Sequence, residues 1–117
     1  MRRLAILLCL AAAVSACGGI QGDFVEMKAY TPRHLRSAAE IELFMVGERP
    51  PRPVRIVGTI STDWLWKGLQ ADQREVFRVL RETAARNGLD GVLNVDCAGV
   101  GYEGEGLCSG SGFVYLN

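Results

Sequence analysis

The sequence predicts an α+β fold: about five strands in an antiparallel or mixed sheet with one helix packed on one face, in the order β-β-β-α-β-β. Three observations predict it. Short stretches of period-two apolar alternation recur along the chain, a single stretch carries helical spacing, and one helix leaves no room for repeated β-α-β crossovers. At 117 residues the chain holds one small domain. Its 49% apolar content is too high for a disordered chain, and 13 basic against 13 acidic side chains lack the excess of a nucleic-acid binder.

The elements follow in order. Residues 18–23 (Gly-Gly-Ile-Gln-Gly-Asp) read as a short flexible tether, which places the folded domain over 24–117. Phe24 to Tyr30 reads as a first strand, ended by Thr31-Pro32. Glu40 to Met45 reads as a second, with Ile41, Leu43 and Met45 on one face and Glu40 and Glu42 on the other. Residues 47–53 form a turn containing Arg49-Pro50-Pro51-Arg52-Pro53. Val54 to Thr62 is a third strand, with Val54, Ile56, Gly58 and Ile60 at period two; Gly58 suggests a bulge or a close backbone approach.

The helix is expected from Asp72 to Asn87. Asp72 and Glu75 have the spacing of a capping box. Val76, Val79, Leu80, Thr83 and Ala84 make one apolar stripe, and Arg74, Arg78, Arg81 and Arg86 take the other side or its margins. Gly88 fits a left-handed cap with Leu89 as its packing partner. Gly91 to Asp96 is a fourth strand running into Cys97. Residues 98–111 are glycine-rich without period and read as a loop, and Gly112 to Leu116 is the last strand.

The first 16 residues read as an export signal rather than as fold. Arg2 and Arg3 precede an uncharged apolar run from Leu4 to Val14, far short of the about 20 residues that span a bilayer. Val14-Ser15-Ala16-Cys17 then resembles the lipobox of bacterial lipoproteins. The resemblance implies cleavage before Cys17 and acylation (diacylglycerol on the sulfur, a further acyl chain on the nitrogen), with palmitate-like chains holding the protein on a membrane. Plain secretion with cleavage after Ala16 is the alternative. Gly18 and Gly19, with no Asp beside Cys17, resemble the sorting pattern for the outer membrane, facing the periplasm. Losing Arg2 and Arg3 takes two of the 13 basic side chains and leaves a slightly acidic chain, without a polybasic membrane patch.

Of the four cysteines, Cys9 leaves with the signal and Cys17 is used by the lipid. Cys97 and Cys108 remain in an oxidising compartment, where one disulfide between them is the preferred reading. A metal pair and a redox dithiol are the alternatives, set back by the absence of CxxC spacing and of a nearby histidine.

A few further residues are candidates for chemistry. His34 with Arg33 and Arg36 makes a candidate anion site, against a solvated polar loop. Glu40 and Glu42 read as water-facing, and Asp96, Glu103 and Glu105 match no calcium loop. The Arg49–Pro53 stretch reads as a stiff connection before a polyproline ligand. Trp64 and Trp66, just ahead of the helix, are candidate partner contacts, together with the 98–111 loop; covering the edge of the core is the plainer reading. No catalytic constellation is legible, so no enzyme activity and no cofactor are expected.

From the helix onward a second resemblance emerges. Ala84-Ala85-Arg86-Asn87-Gly88-Leu89-Asp90-Gly91-Val92-Leu93, followed by Cys97, a glycine-rich loop and Cys108-Ser109-Gly110-Ser111-Gly112, is similar to the RcsF family of outer-membrane stress-sensor lipoproteins and to the broader YbjQ-like domain. It covers roughly residues 54–117. The chain departs from the sensors in having one cysteine pair rather than two and no long proline-rich linker. The resemblance implies a non-enzymatic envelope domain that binds a protein partner or senses envelope state, or alternatively a small-ligand or heavy-metal-binding module.

Overall fold

The computed structural model describes residues 19–34, 37–64, 73–98 and 107–116, with Trp64 and Ala98 described by backbone alone. The fold is α+β. In chain order it comprises β1 (Ile20–Glu26), a 3-10 turn (Ala38–Glu40), β2 (Glu42–Met45), β3 (Val54–Trp64), α1 (Gln73–Arg86), β4 (Gly91–Ala98) and β5 (Leu107–Tyr115). The five strands form one mixed sheet in the order β1-β3-β5-β4-β2. All neighbours are antiparallel except β2 and β4, which are parallel. Because β3 and β4 both run against β5, they run parallel to each other. The helix carries the chain from one to the other, and β5 turns back to fill the gap between them.

The helix forms where its spacing predicts. Val76, Val79, Leu80, Thr83 and Ala84 are its buried residues, and Arg78 on the outer side pairs with Glu82 at 2.8 Å. Its end is a Schellman motif: Gly88 has φ +68°, its N–H donates to Ala85 O, and the Leu89 N–H reaches back to Ala84 O. Leu89 is fully buried against the same core as the helix stripe. Leu43 and Met45 of β2 pack on this core, and Ile41 is buried, as the alternation predicts.

The structure differs from the sequence reading at several points; in the smaller ones, β2 begins at Glu42 because Glu40 closes the 3-10 turn, and β3 runs on past Thr62 to Trp64. The first strand is Ile20–Glu26, so 20–23 are paired in the sheet and not tether; Ile20 alone of these is buried, and it seats against α1. The register of β3 on β5 shifts between Ile56 and Gly58, so the bulge expected at Gly58 is present and it changes which side chains point inward. Val57 and Ile60 are fully buried and Ile56 is 44% exposed, so the period-two set Val54, Ile56, Gly58 and Ile60 does not keep to one face. Finally, β4 extends through Ala98 and β5 begins at Leu107, so the ends of the expected 98–111 loop are a ladder. Gly110 and Gly112 lie in that ladder beneath the core: a Cβ at Gly112 would stand 2.7 Å from Leu89 Cδ1 and one at Gly110 2.6 Å from Val92 Cγ1. Glycine there serves close packing rather than a loop.

Helix and edge strand meet just as closely at Gly22, where a Cβ would collide with the Thr83 hydroxyl. Thr83 is 1% exposed and cannot swing away, since its hydroxyl donates to Val79 O at 2.7 Å. Gly22→Ala is therefore expected to cost about 2 kcal/mol by overpacking. Combined with Thr83→Ala, the loss should be smaller than the sum of the single changes, as read from urea midpoints.

Candidate functional site

Two polar constructions stand at opposite ends of the sheet. At the first end lie Ile20, Trp64, Ala98 and Leu107, because Ile20 pairs with Trp64 and Ala98 with Leu107. One position in from that end, Cys97 and Cys108 face each other across β4 and β5 and are joined by a disulfide, with Cα atoms 4.0 Å apart. Cys108 is buried and Cys97 half-buried against the core. On the other side of β5, the Thr62 hydroxyl donates to Cys108 O at 3.1 Å and accepts from Cys108 N–H at 2.9 Å. The staple thus ties together three strands, β3, β5 and β4, where the chain leaves the sheet. Both sulfurs are committed to each other. Among the described residues, no three His, Cys, Asp or Glu side chains gather as a metal site.

At the second end, Asp90 follows the helix cap and is 1% exposed. Its Oδ2 accepts from the Tyr115 N–H at 2.7 Å and from Arg33 Nε at 3.1 Å. Arg33 Nη2 in turn donates to Tyr115 O at 2.8 Å, and the Arg33 N–H donates to Gly88 O at 2.7 Å. This cluster buckles the 30–33 segment over the helix C-terminus, helped by the Tyr30 hydroxyl donating to Asn87 O at 2.6 Å. Arg33, a candidate anion ligand in the sequence, is engaged in this structural cluster, and His34 beside it is exposed. Sequence reasoning missed Asp90 and Tyr115. The one available signal was a carboxylate set inside the apolar run Leu89-Asp90-Gly91-Val92.

On the sheet face away from α1, Phe113 is fully buried beside Phe44 and Tyr115, with ring centroids 6.0 and 5.2 Å away. Arg52 of the proline-rich connection between β2 and β3 lies over the Tyr115 ring at 4.1 Å. The Tyr115 hydroxyl donates to Glu42 Oε2 at 2.9 Å, so Glu42, expected to face only water, holds a phenol. Burial pushes the Tyr115 phenol up to about 12; the hydrogen bond to Glu42 and the charges of Glu42 and Asp90 act the same way, and Arg52 opposes them. Burial, and then the charge of Glu26, raise Tyr30 too. A raised phenol keeps its proton longer in the folded state than in the unfolded one. Its contribution to stability is therefore whole below the ordinary tyrosine value and is lost as pH rises through the folded value. The urea midpoint is expected to fall between pH 10 and about 12. In Tyr115→Phe that fall should be shallower.

Residues 1–16, which the sequence suggests are an export signal, together with Cys17, Arg36, Trp66, Asp72 and residues 99–106, with Glu103 and Glu105, lie outside the described residues, as does the Trp64 side chain. Asp96 is exposed on β4, one position from Cys97. Among the described residues no helix is long and apolar enough to cross a membrane. What the fold and its two polar ends define is a disulfide-stapled α+β sheet domain with one helix-covered face. Compared with known protein families, with curated proteins and with solved structures, the chain finds no match.

Proposed function

We propose that this chain is a bacterial envelope lipoprotein, anchored through acylated Cys17 on a membrane and presenting a stapled, non-enzymatic domain to a protein partner. The observation that carries the reading is the Cys97–Cys108 disulfide, a bond that persists in exported rather than cytosolic proteins. It agrees with the export signal and the lipobox-like Val14-Ser15-Ala16-Cys17. The start of β1 adds a geometric consequence. Three residues of extended chain from Cys17 to Ile20 reach about 10 Å. The sheet end carrying Ile20 and Trp64 would then sit at the bilayer, with Trp64 and Trp66 as partner contacts in the membrane-proximal zone.

Intact-mass spectrometry of the native membrane form tests this. The expected mass lacks residues 1–16, carries acyl chains on Cys17, and is short of the fully reduced form by a pair of hydrogens. A polypeptide that still begins at Met1, or is found unacylated in the cytosol with two free thiols, overturns the proposal.

A further inference from the structure

Among the described residues the sheet has one long edge with no neighbouring strand, and the helix overhangs it. β1 is the terminal strand next to β3; its seven residues Ile20–Glu26 contain neither proline nor lysine, and its charges are Asp23, which by alternation lies on the face away from α1, and Glu26 at the far end from the groove. The other edge, β2, has only four residues and an interrupted register. Met27 N–H bonds Val57 O, and the Val25 carbonyl lies against Gly58, so the backbone groups of Val25 and, by alternation, Asp23 and Gln21 turn toward β3. Those of Ile20, Gly22 and Phe24 therefore turn outward. Because α1 rests directly on Gly22 through Thr83, its flank projects past the strand. Between the two is a groove of about 350 Å³ lined by Ile20, Gly22, Arg78, Glu82, Thr83 and Arg86. Arg78 stands between two carboxylates, Glu82 at 2.8 Å and Glu75 at 3.8 Å, and is neutralised by them. Arg86 donates to the Thr83 hydroxyl at 3.3 Å and meets no carboxylate among the described residues. Arg86 is thus the one cation of the groove lining that no described carboxylate meets, and it stands beside a row of open main-chain groups.

We propose that the outer edge of β1 and the flank of α1 dock an extended protein segment with acidic side chains, which adds a strand to the sheet. The incoming main chain pairs with Ile20, Gly22 and Phe24. Its residues on the helix side lie in the groove, where Arg86 selects a carboxylate. A second copy of this chain fits less well, since pairing β1 with β1 about its midpoint sets Asp23 against Asp23. The inference names the partner class for the partner-binding reading above and rests on that reading only in that both call for a protein ligand; acylation of Cys17 does not enter it.

The test is an amide NMR titration of the full chain in detergent with a short peptide of alternating Glu and Val, against an alternating Lys and Val peptide. The Glu peptide is expected to shift amides of Ile20–Glu26 and of the Arg78–Arg86 flank, and to bind about tenfold tighter than the Lys peptide or more. Arg86→Glu, an exposed change whose own spectrum reports retention of fold, should reverse that preference. N-methylation of alternate peptide amides should abolish binding. Equal affinity for the two peptides, undiminished binding of the N-methylated peptide, or shifts confined to other strands overturns the proposal. A concentration-dependent dimer through β1 without peptide overturns it in favour of a second copy. None of these outcomes alters the mass of the acylated chain, so the two proposals fail separately.

Discussion

Asp90→Ala is expected to lower the free energy of unfolding by about 3 kcal/mol, well beyond the effect of a surface substitution. The reason is the asymmetry of a buried acceptor. Oδ2 holds two donors, the Tyr115 amide and Arg33 Nε. Removing it leaves the buried amide unsatisfied at full desolvation cost, while Arg33, with 28% of its side chain exposed, can turn partly to water. The arginine share is therefore small, and most of the loss falls on the amide. Asp90→Asn should fall between, because an amide oxygen still accepts from Tyr115 but no longer opposes a cation. Urea denaturation of the two variants, and of Asp90→Ala with Arg33→Ala, separates the shares. If the double variant is no more stable than the sum of the single losses predicts, the two side chains are not coupled.

The second large effect belongs to the staple. Replacing Cys97 and Cys108 together by Ala is expected to cost about 3 kcal/mol, the chain-entropy value for closing a loop across a separation of 11 residues. For a single small domain that is a substantial part of a net stability of about 5–15 kcal/mol. Reductant should lower the urea midpoint of the parent and leave that of the double variant unchanged. A parent whose midpoint ignores reductant would show that the Thr62 bridge and the β4–β5 ladder suffice without the bond.

The helix, its stripe, its Gly88 cap and the buried Leu89 were legible in the chain because each depends on residues within a turn or two of one another. The inward face of β2 follows from alternation. The disulfide follows from counting the cysteines left after an assumed export signal. The small polar residues Ser109 and Ser111 and the glycines between them made the start of β5 read as loop. In the sheet, Gly110 and Gly112 are the central strand's points of closest approach to the core. The bulge at β3 was signalled by Gly58, yet its effect on Ile56 and Val57 depends on the partner strand.

Period, capping and count were enough for the fold class, the helix with both its faces, and the cysteine pair. It took the folded chain to put Ile20–Asp23 in the sheet, to gather Arg33 and Tyr115 on Asp90, and to lay an overhung groove along β1. Each of these joins residues far apart in the chain, and strand pairing or a buried hydrogen bond has no signature in either partner until both are brought into register.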